Sequence, residues 1–173
     1  MKKFATAVGL LFSLTGCDIA TLPEFADYDS AGTTSIDVEI HAIAMPASGV
    51  EAVEIQLRNV LLHRATDDAW IIVGPESLTI ELSEEVSEVV IEGVPIDHAR
   101  YDRVSIEVAS VRVDAEGSWH AATLAVDVLE LDIDLGDAAA VTMDLGFDLE
   151  ASLEGSARDG WTFDPAVQLE VLD

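Results

Sequence analysis

Residues 103–114 read RVSIEVASVRVD. Val104, Ile106 and Val108 alternate with Arg103, Ser105 and Glu107, and Val111 and Val113 continue the series after a slip of one residue. Successive side chains of a strand point to opposite faces, so this spacing lines one face with branched apolar groups and leaves the other polar. On a helix the same residues would scatter around the axis. The stretch is therefore a strand, half buried, with a local irregularity where the phase slips.

The same period runs outward in both directions. Ile36, Val38 and Ile40 alternate with Asp37, Glu39 and His41, and Val53, Ile55 and Leu57 alternate with Glu54, Gln56 and Arg58. At Asn59 the phase changes and Val60-Leu61-Leu62 runs apolar, which a bulge or a crossing between sheets would produce. Trp70–Val73, Leu78–Leu82 and Val86–Ile91 follow, separated by Thr66-Asp67-Asp68, Gly74-Pro75 and Gly93-Val94-Pro95. Downstream, Glu116-Gly117 turns the chain into Trp119. Leu129, Leu131, Ile133 and Leu135 then alternate with Glu130, Asp132 and Asp134, Val141 to Leu149 repeats the pattern, and Val167, Leu169 and Val171 close it. Short strands with Gly/Pro/Asp turns and no convincing helix predict an all-β chain. The expected fold is an antiparallel β-sandwich, immunoglobulin-like or transthyretin-like, of about nine or ten strands. With no internal repeat or linker after residue 34, residues 35–173 form one domain.

Composition agrees with a folded core. The chain has 173 residues, half of them hydrophobic, with 34 Asp+Glu against 8 Lys+Arg and a formal charge of −26. A domain of this length buries roughly 70% of its unfolded surface, and so apolar a composition offsets the ordering entropy despite the charge. Nucleic acid is excluded as a partner because a polyphosphate needs clustered Lys/Arg and meets a repulsive field here. A single cysteine excludes a disulfide scaffold.

The N-terminus gives the address. Residues 1–17 are MKKFATAVGLLFSLTGC: a basic start at Lys2-Lys3, an apolar run from Phe4 to Leu14 and small residues before the cysteine. The run is too short for a transmembrane helix, which needs about 20 residues. Leu14-Thr15-Gly16-Cys17 resembles the lipobox of bacterial lipoproteins. The resemblance implies cleavage between Gly16 and Cys17, leaving residues 1–16 as a signal peptide, and lipidation of Cys17. Residues 17–34, with Pro23, scattered acids and a Ser-Ala-Gly-Thr-Thr end, then read as a tether. Lys2 and Lys3 are the only lysines, so cleavage moves the formal charge from −26 to −28 and leaves six arginines as the only Lys/Arg cations. An acidic, lysine-free surface fits either a saline medium or a lineage whose exported proteins are acidic. Asp18 resembles the inner-membrane retention signal of enteric bacteria, a rule specific to those bacteria, so inner and outer membrane both stay open.

Three stretches carry a family likeness. They are Val53–His63 followed by Trp70, Tyr101–Val108 after the Gly93 turn, and Val141–Leu149 with the late Pro165-Ala166-Val167 strand. Their order resembles bacterial and archaeal lipoproteins with the domain of unknown function 4382. The early turn departs from that family: Ala42-Ile43-Ala44-Met45-Pro46 stands where a Thr-Asp-Ala-Pro turn is usual. The resemblance implies a lipid-anchored β-sandwich and no known activity.

Candidate chemistry is sparse. Asp127, Glu130, Asp132, Asp134 and Asp137 form the densest acidic run, and Asp132 and Asp134, read on one strand face, are the candidate ligands for Ca²⁺. A solvated strand face has the same pattern. Asp144 and Asp148 could pair as in glycoside hydrolysis only across a cleft that the sequence does not indicate. His41, His63, His98 and His120 show no metal-binding spacing, and no nucleophile elbow or phosphate loop occurs. Trp70, Trp119, Trp161 and Tyr101 lie beside turns, where they could contact a sugar or a protein partner, or cap the core. The expected function is a non-enzymatic structural or protein-interaction module of the bacterial cell envelope, facing the periplasm or the cell exterior. The alternative is an extracytoplasmic module binding carbohydrate or a divalent cation. An interaction module predicts an exposed apolar patch or open edge strand; a ligand module predicts converging tryptophans or carboxylates.

Overall fold

Strand β2 (Val50–Arg64) and strand β6 (Tyr101–Ala115), each of fifteen residues, pair antiparallel along their whole length and carry the larger sheet. The computed structural model describes residues 32–46, 49–83, 87–136 and 138–172. The expected signal peptide, Gly16, Cys17 and most of the tether lie outside those residues, as does Asp137. Two short strands flank each long one: β3 (Ala69–Ile72) and β4 (Leu78–Leu82) along β2, and β7 (Ser118–Leu124) and β8 (Val128–Asp132) along β6. Beyond β7 come β11 (Gly160–Phe163) and β10 (Leu153–Ser156). The smaller sheet has the order β12 (Val167–Leu172), β9 (Ala140–Asp148), β1 (Thr33–Ala44), β5 (Ser87–Asp97).

The apolar registers of both sheets face each other. Ile36, Val38 and Ile40 of β1 and Met143, Leu145 and Phe147 of β9 are fully buried in one cluster with Val53, Ile55, Val104, Ile106 and Val113 of the larger sheet. Phe147 stacks on Phe163 of β11 with ring centroids 6.5 Å apart, joining the two sheets directly. Each such side chain stabilises the fold by about 1.5–3 kcal/mol through burial. The fold is thus an all-β sandwich, with polar faces turned outward on both sides.

The two phase slips in the sequence are bulges. Gln56 pairs with Ser110, Leu57 with Val108 and Asn59 with Glu107, so Ala109 is extra on β6 and Arg58 is extra on β2. The two irregularities compensate, and the register beyond them is restored.

Three expectations are corrected. The described residues form twelve strands rather than nine or ten; the extra two are the β10–β11 hairpin, whose four-residue strands are too short for a period of two to show. The pairing is mixed, because β1 lies parallel to β9 and β11 parallel to β7. Both pairs join segments far apart in the chain, which local pattern cannot orient. A single helical turn, α1 (Leu149–Ser152), also occurs, capped by the Asp148 carboxylate accepting from Ala151 N at 3.0 Å. In addition β1 begins at Thr33, inside the segment read as tether.

Candidate functional site

The outward face of the larger sheet carries a ladder of paired polar groups. Arg58 donates to Glu107 at 2.8 Å, Asn59 to the same carboxylate at 2.9 Å, and Arg112 to Glu54 at 3.2 Å. Two of the aromatic candidates stand on this ladder. Trp70 on β3 lies under the Arg103 guanidinium, 5.3 Å from its ring centroid, and Trp119 on β7 lies under Arg112 at 5.1 Å. These two arginines stand nine positions apart on β6, or about 30 Å. Trp161 is instead buried in the core, and Tyr101, 2% exposed, donates its hydroxyl to the Asp97 carbonyl at 3.1 Å. Burial pushes the Tyr101 hydroxyl above its ordinary value. The four aromatic candidates therefore occupy separate places and do not line one groove. Trp161 and Tyr101 pack into the core cluster; Trp70 and Trp119 are partly exposed, and their arginine partners supply cation–π contacts worth about 0.5–1 kcal/mol at such sites.

The acidic run is also divided. Strand β8 ends at Asp132, opposite Arg103, and Asp134 lies beyond it, where its carboxylate accepts from Gly136 N at 3.3 Å. Asp134 therefore lies past the end of the strand that carries Asp132, which corrects the expectation that both sit on it. Among the described residues no three His, Cys, Asp or Glu side chains group so as to hold a metal ion.

Around Trp70 the fold assembles a cluster that the spacing of residues did not reveal. His63 pairs with Arg103 and Arg64 with Tyr101, so Asp102 is the extra residue of a further bulge. The bulge turns the Asp102 carboxylate onto the same side as Arg103, 2.6 Å from His63 Nδ1. Asp68, in the β2–β3 turn with φ +56°, reaches His63 Nε2 at 2.9 Å. Trp70 covers the imidazole at 5.0 Å, leaving His63 only 4% exposed. The hydrogen bond to Asp102, then that to Asp68, outweigh burial and the Arg103 charge, so His63 stays protonated to a higher pH than usual. The same His63 hydrogen bond holds Asp102 below the usual carboxylate range. Next to it Arg64 donates to Asp67 at 2.7 and 2.8 Å and to Asp97 at 3.0 Å.

This cluster is a staple. A general base needs a free ring nitrogen within reach of substrate, and here both nitrogens face carboxylates. The linkage sign follows from the two directions. A raised His63 contributes stability that is full below its unfolded value of about 6.5 and fades as pH rises through its raised folded value. A lowered Asp102 contributes stability above about pH 4 that is lost as pH falls through its lowered value. We predict that the melting-temperature difference between the native chain and His63→Gln is largest near pH 5–6 and shrinks steadily toward pH 9. A difference that stays flat over this range would refute the charged staple.

The smaller sheet presents the opposite electrostatic character. None of β1, β5, β9 and β12 contains Lys or Arg, whereas the arginines of the strands all lie on β2 and β6. On the outward face Glu39 is opposite Asp144, and Asp144 is opposite Glu170, so three carboxylates form a row across β1, β9 and β12. His41 Nδ1 contacts Asp144 Oδ1 at 2.8 Å and is the row's basic neighbour. Beside this row lies a shallow depression of about 430 Å³ lined by His41, Ile43, Asp144, Gly146, Gln168, Leu169 and Glu170. Gly146 makes room for its wall: a Cβ there would sit 2.5 Å from the Ile43 side chain. No family model, no curated protein and no solved structure matches this chain.

Proposed function

We propose that the chain is a lipid-anchored protein of a bacterial cell envelope whose β-sandwich serves as a protein-interaction module, facing the periplasm or the cell exterior and performing no catalysis. One observation carries this reading: Glu54 and Glu107 on the larger sheet's outward face pair with arginines, whereas Glu39, Asp144 and Glu170 form an outward row on a smaller sheet whose four strands contain no Lys or Arg. An acidic face with His41 as its basic neighbour and no Lys or Arg on its strands costs self-repulsion and invites a cationic partner. The lipid on Cys17 would hold that face close to other envelope proteins. The segment order resembling the domain of unknown function 4382 fits this reading and adds no activity to it.

Carbohydrate or divalent-cation binding is the competing reading. The Glu39–Asp144–Glu170 row supplies acid for a cation such as Ca²⁺, but its three carboxylates do not group around one point. Thermal unfolding of the full chain in detergent micelles separates the two. A ligand of the native state adds about 2.7 kcal/mol at a hundred times its Kd. We expect the melting temperature to follow ionic strength alone, because screening relieves the acidic face. A rise with millimolar calcium at constant ionic strength, reversed by EDTA, would replace the interaction module with a cation site.

A further inference from the structure

The smaller sheet ends in two edges that differ in kind. At β5 the register with β1 shifts twice, between Ile36 and Val38 and between Val38 and Glu39. Gly93, at φ +63°, takes the first irregularity, and its N–H donates to the Asp37 carboxylate at 2.6 Å. Bulges twist an edge away from a would-be neighbour, one of the ways in which proteins blunt edge strands. Strand β12 has no such device. Its pairing with β9 runs without a shift from Val167–Phe147 to Leu172–Thr142.

The register also shows which backbone groups of β12 are free. Asp148 N donates to the Ala166 carbonyl directly opposite, at 2.9 Å. Hydrogen-bonded pairs alternate along an antiparallel ladder, so Gln168, Glu170 and Leu172 turn their backbone groups toward β9. Val167, Leu169 and Val171 then turn theirs outward, and no described strand pairs with that side. The side chains of these three residues pack on the core yet remain half buried. An added strand would complete both the ladder and their burial.

We propose that the outer edge of β12 binds an extended segment of a partner protein that carries Lys or Arg at alternate positions. The proposal rests on the interaction-module reading and names its surface and partner. Main-chain bonds to Val167, Leu169 and Val171 provide the attachment, as in other strand-addition complexes. Charge decides the sequence. Residues on the outward face of the added strand lie beside Glu170, with Asp144 and Glu39 next in the row. The depression offers Ile43 to the aliphatic stem of a Lys or Arg and carboxylates to its head. A second copy of the chain is the wrong occupant, because pairing two β12 edges brings two acidic faces together.

The test uses the full chain in detergent micelles and four synthetic eight-residue peptides: alternating Lys and Val, its Lys-to-Glu counterpart, a peptide of the same composition with the lysines consecutive, and the alternating peptide N-methylated at every second backbone nitrogen. The alternating Lys/Val peptide is expected to bind at least tenfold more tightly than any of the other three. Leu169→Pro removes an outward donor without touching the β9 ladder and is expected to weaken binding at least tenfold. Glu170→Lys, on an exposed position, should do the same and serves where Leu169→Pro lowers the melting temperature. Equal binding of the N-methylated or consecutive-lysine peptide would mean adsorption to an acidic surface and overturn the proposal. So would sedimentation showing dimers abolished by Leu169→Pro, or binding of none of the peptides. Failure of every peptide leaves the broader reading standing, whereas calcium stabilisation at constant ionic strength removes that reading itself.

Discussion

Phe147→Ala is expected to lower the stability of the sandwich by about 3–5 kcal/mol. Phe147 is fully buried and its ring meets Phe163 across the two sheets, so truncation removes transfer energy and opens a cavity between layers. Strands β9 and β11 hold the surrounding backbone in two ladders, which limits collapse around the void. Native domains have only about 5–15 kcal/mol in total, so the loss is a large share. At this size it corresponds to a fall in melting temperature of about 6–20 °C. Ile72→Ala provides the comparison: that side chain is 60% exposed at the rim of β3, and its truncation should change stability by less than about 0.5 kcal/mol. A Phe147→Ala variant that melts with the native chain would mean that the sheets are not joined through this contact.

The second large effect concerns attachment. In bacteria fed a labelled fatty acid, the chain is expected to take up label and Cys17→Ala to take up none, while keeping residues 1–16 and running as the longer precursor. One acyl chain holds a protein to a bilayer only marginally, whereas two hold it stably, since each buried methylene contributes about 0.8 kcal/mol. The mature chain, once lipidated, should accordingly stay with the membrane fraction in high salt and leave it only in detergent. Label retained by Cys17→Ala, or absent from the native chain, would remove the lipid anchor and the envelope reading built on it.

Much of the fold was legible because strand structure is written locally. The alternation in Ile36–Ile40, Val53–Leu57, Val104–Val108 and Val141–Phe147 places the same residues inward that are buried in the sandwich. Even the slips at Asn59 and before Val111 announced the bulges at Arg58 and Ala109. The β10–β11 hairpin escaped notice because Leu153–Ser156 and Gly160–Phe163 are too short to display a period, and two of their residues are pairing glycines. Strand direction escaped for another reason: β1 and β9 are parallel neighbours although some hundred residues lie between them.

The candidate sites divide in the same way. Trp70 and Trp119 were recognisable as turn-flanking aromatics, but not as two separate arginine-capped positions, since Arg103 and Arg112 reach them only across paired strands. His63 looked like one of four scattered histidines. Its partner Asp102 is 39 residues away, and the bulge that aims it leaves no phase slip, because it falls at the very start of β6. Asp132 and Asp134 misled for the converse reason: alternation continued in the sequence past Asp132, whereas strand β8 ends there, with one further hydrogen bond from Ile133 N to the Asp102 carbonyl.

By itself the sequence determined the period-two architecture, the excess of acid over base, the absence of lysine after Cys17 and the lipobox-like N-terminus, each a property of neighbouring residues or of a simple sum. Tertiary structure decided which strands became neighbours. That assignment gathered strands without Lys or Arg into one sheet, left the outer side of β12 without a described partner, and set His63 between Asp68 and Asp102. Charge balance and open hydrogen bonds belong to surfaces, and a surface exists only once the ladders have chosen their order.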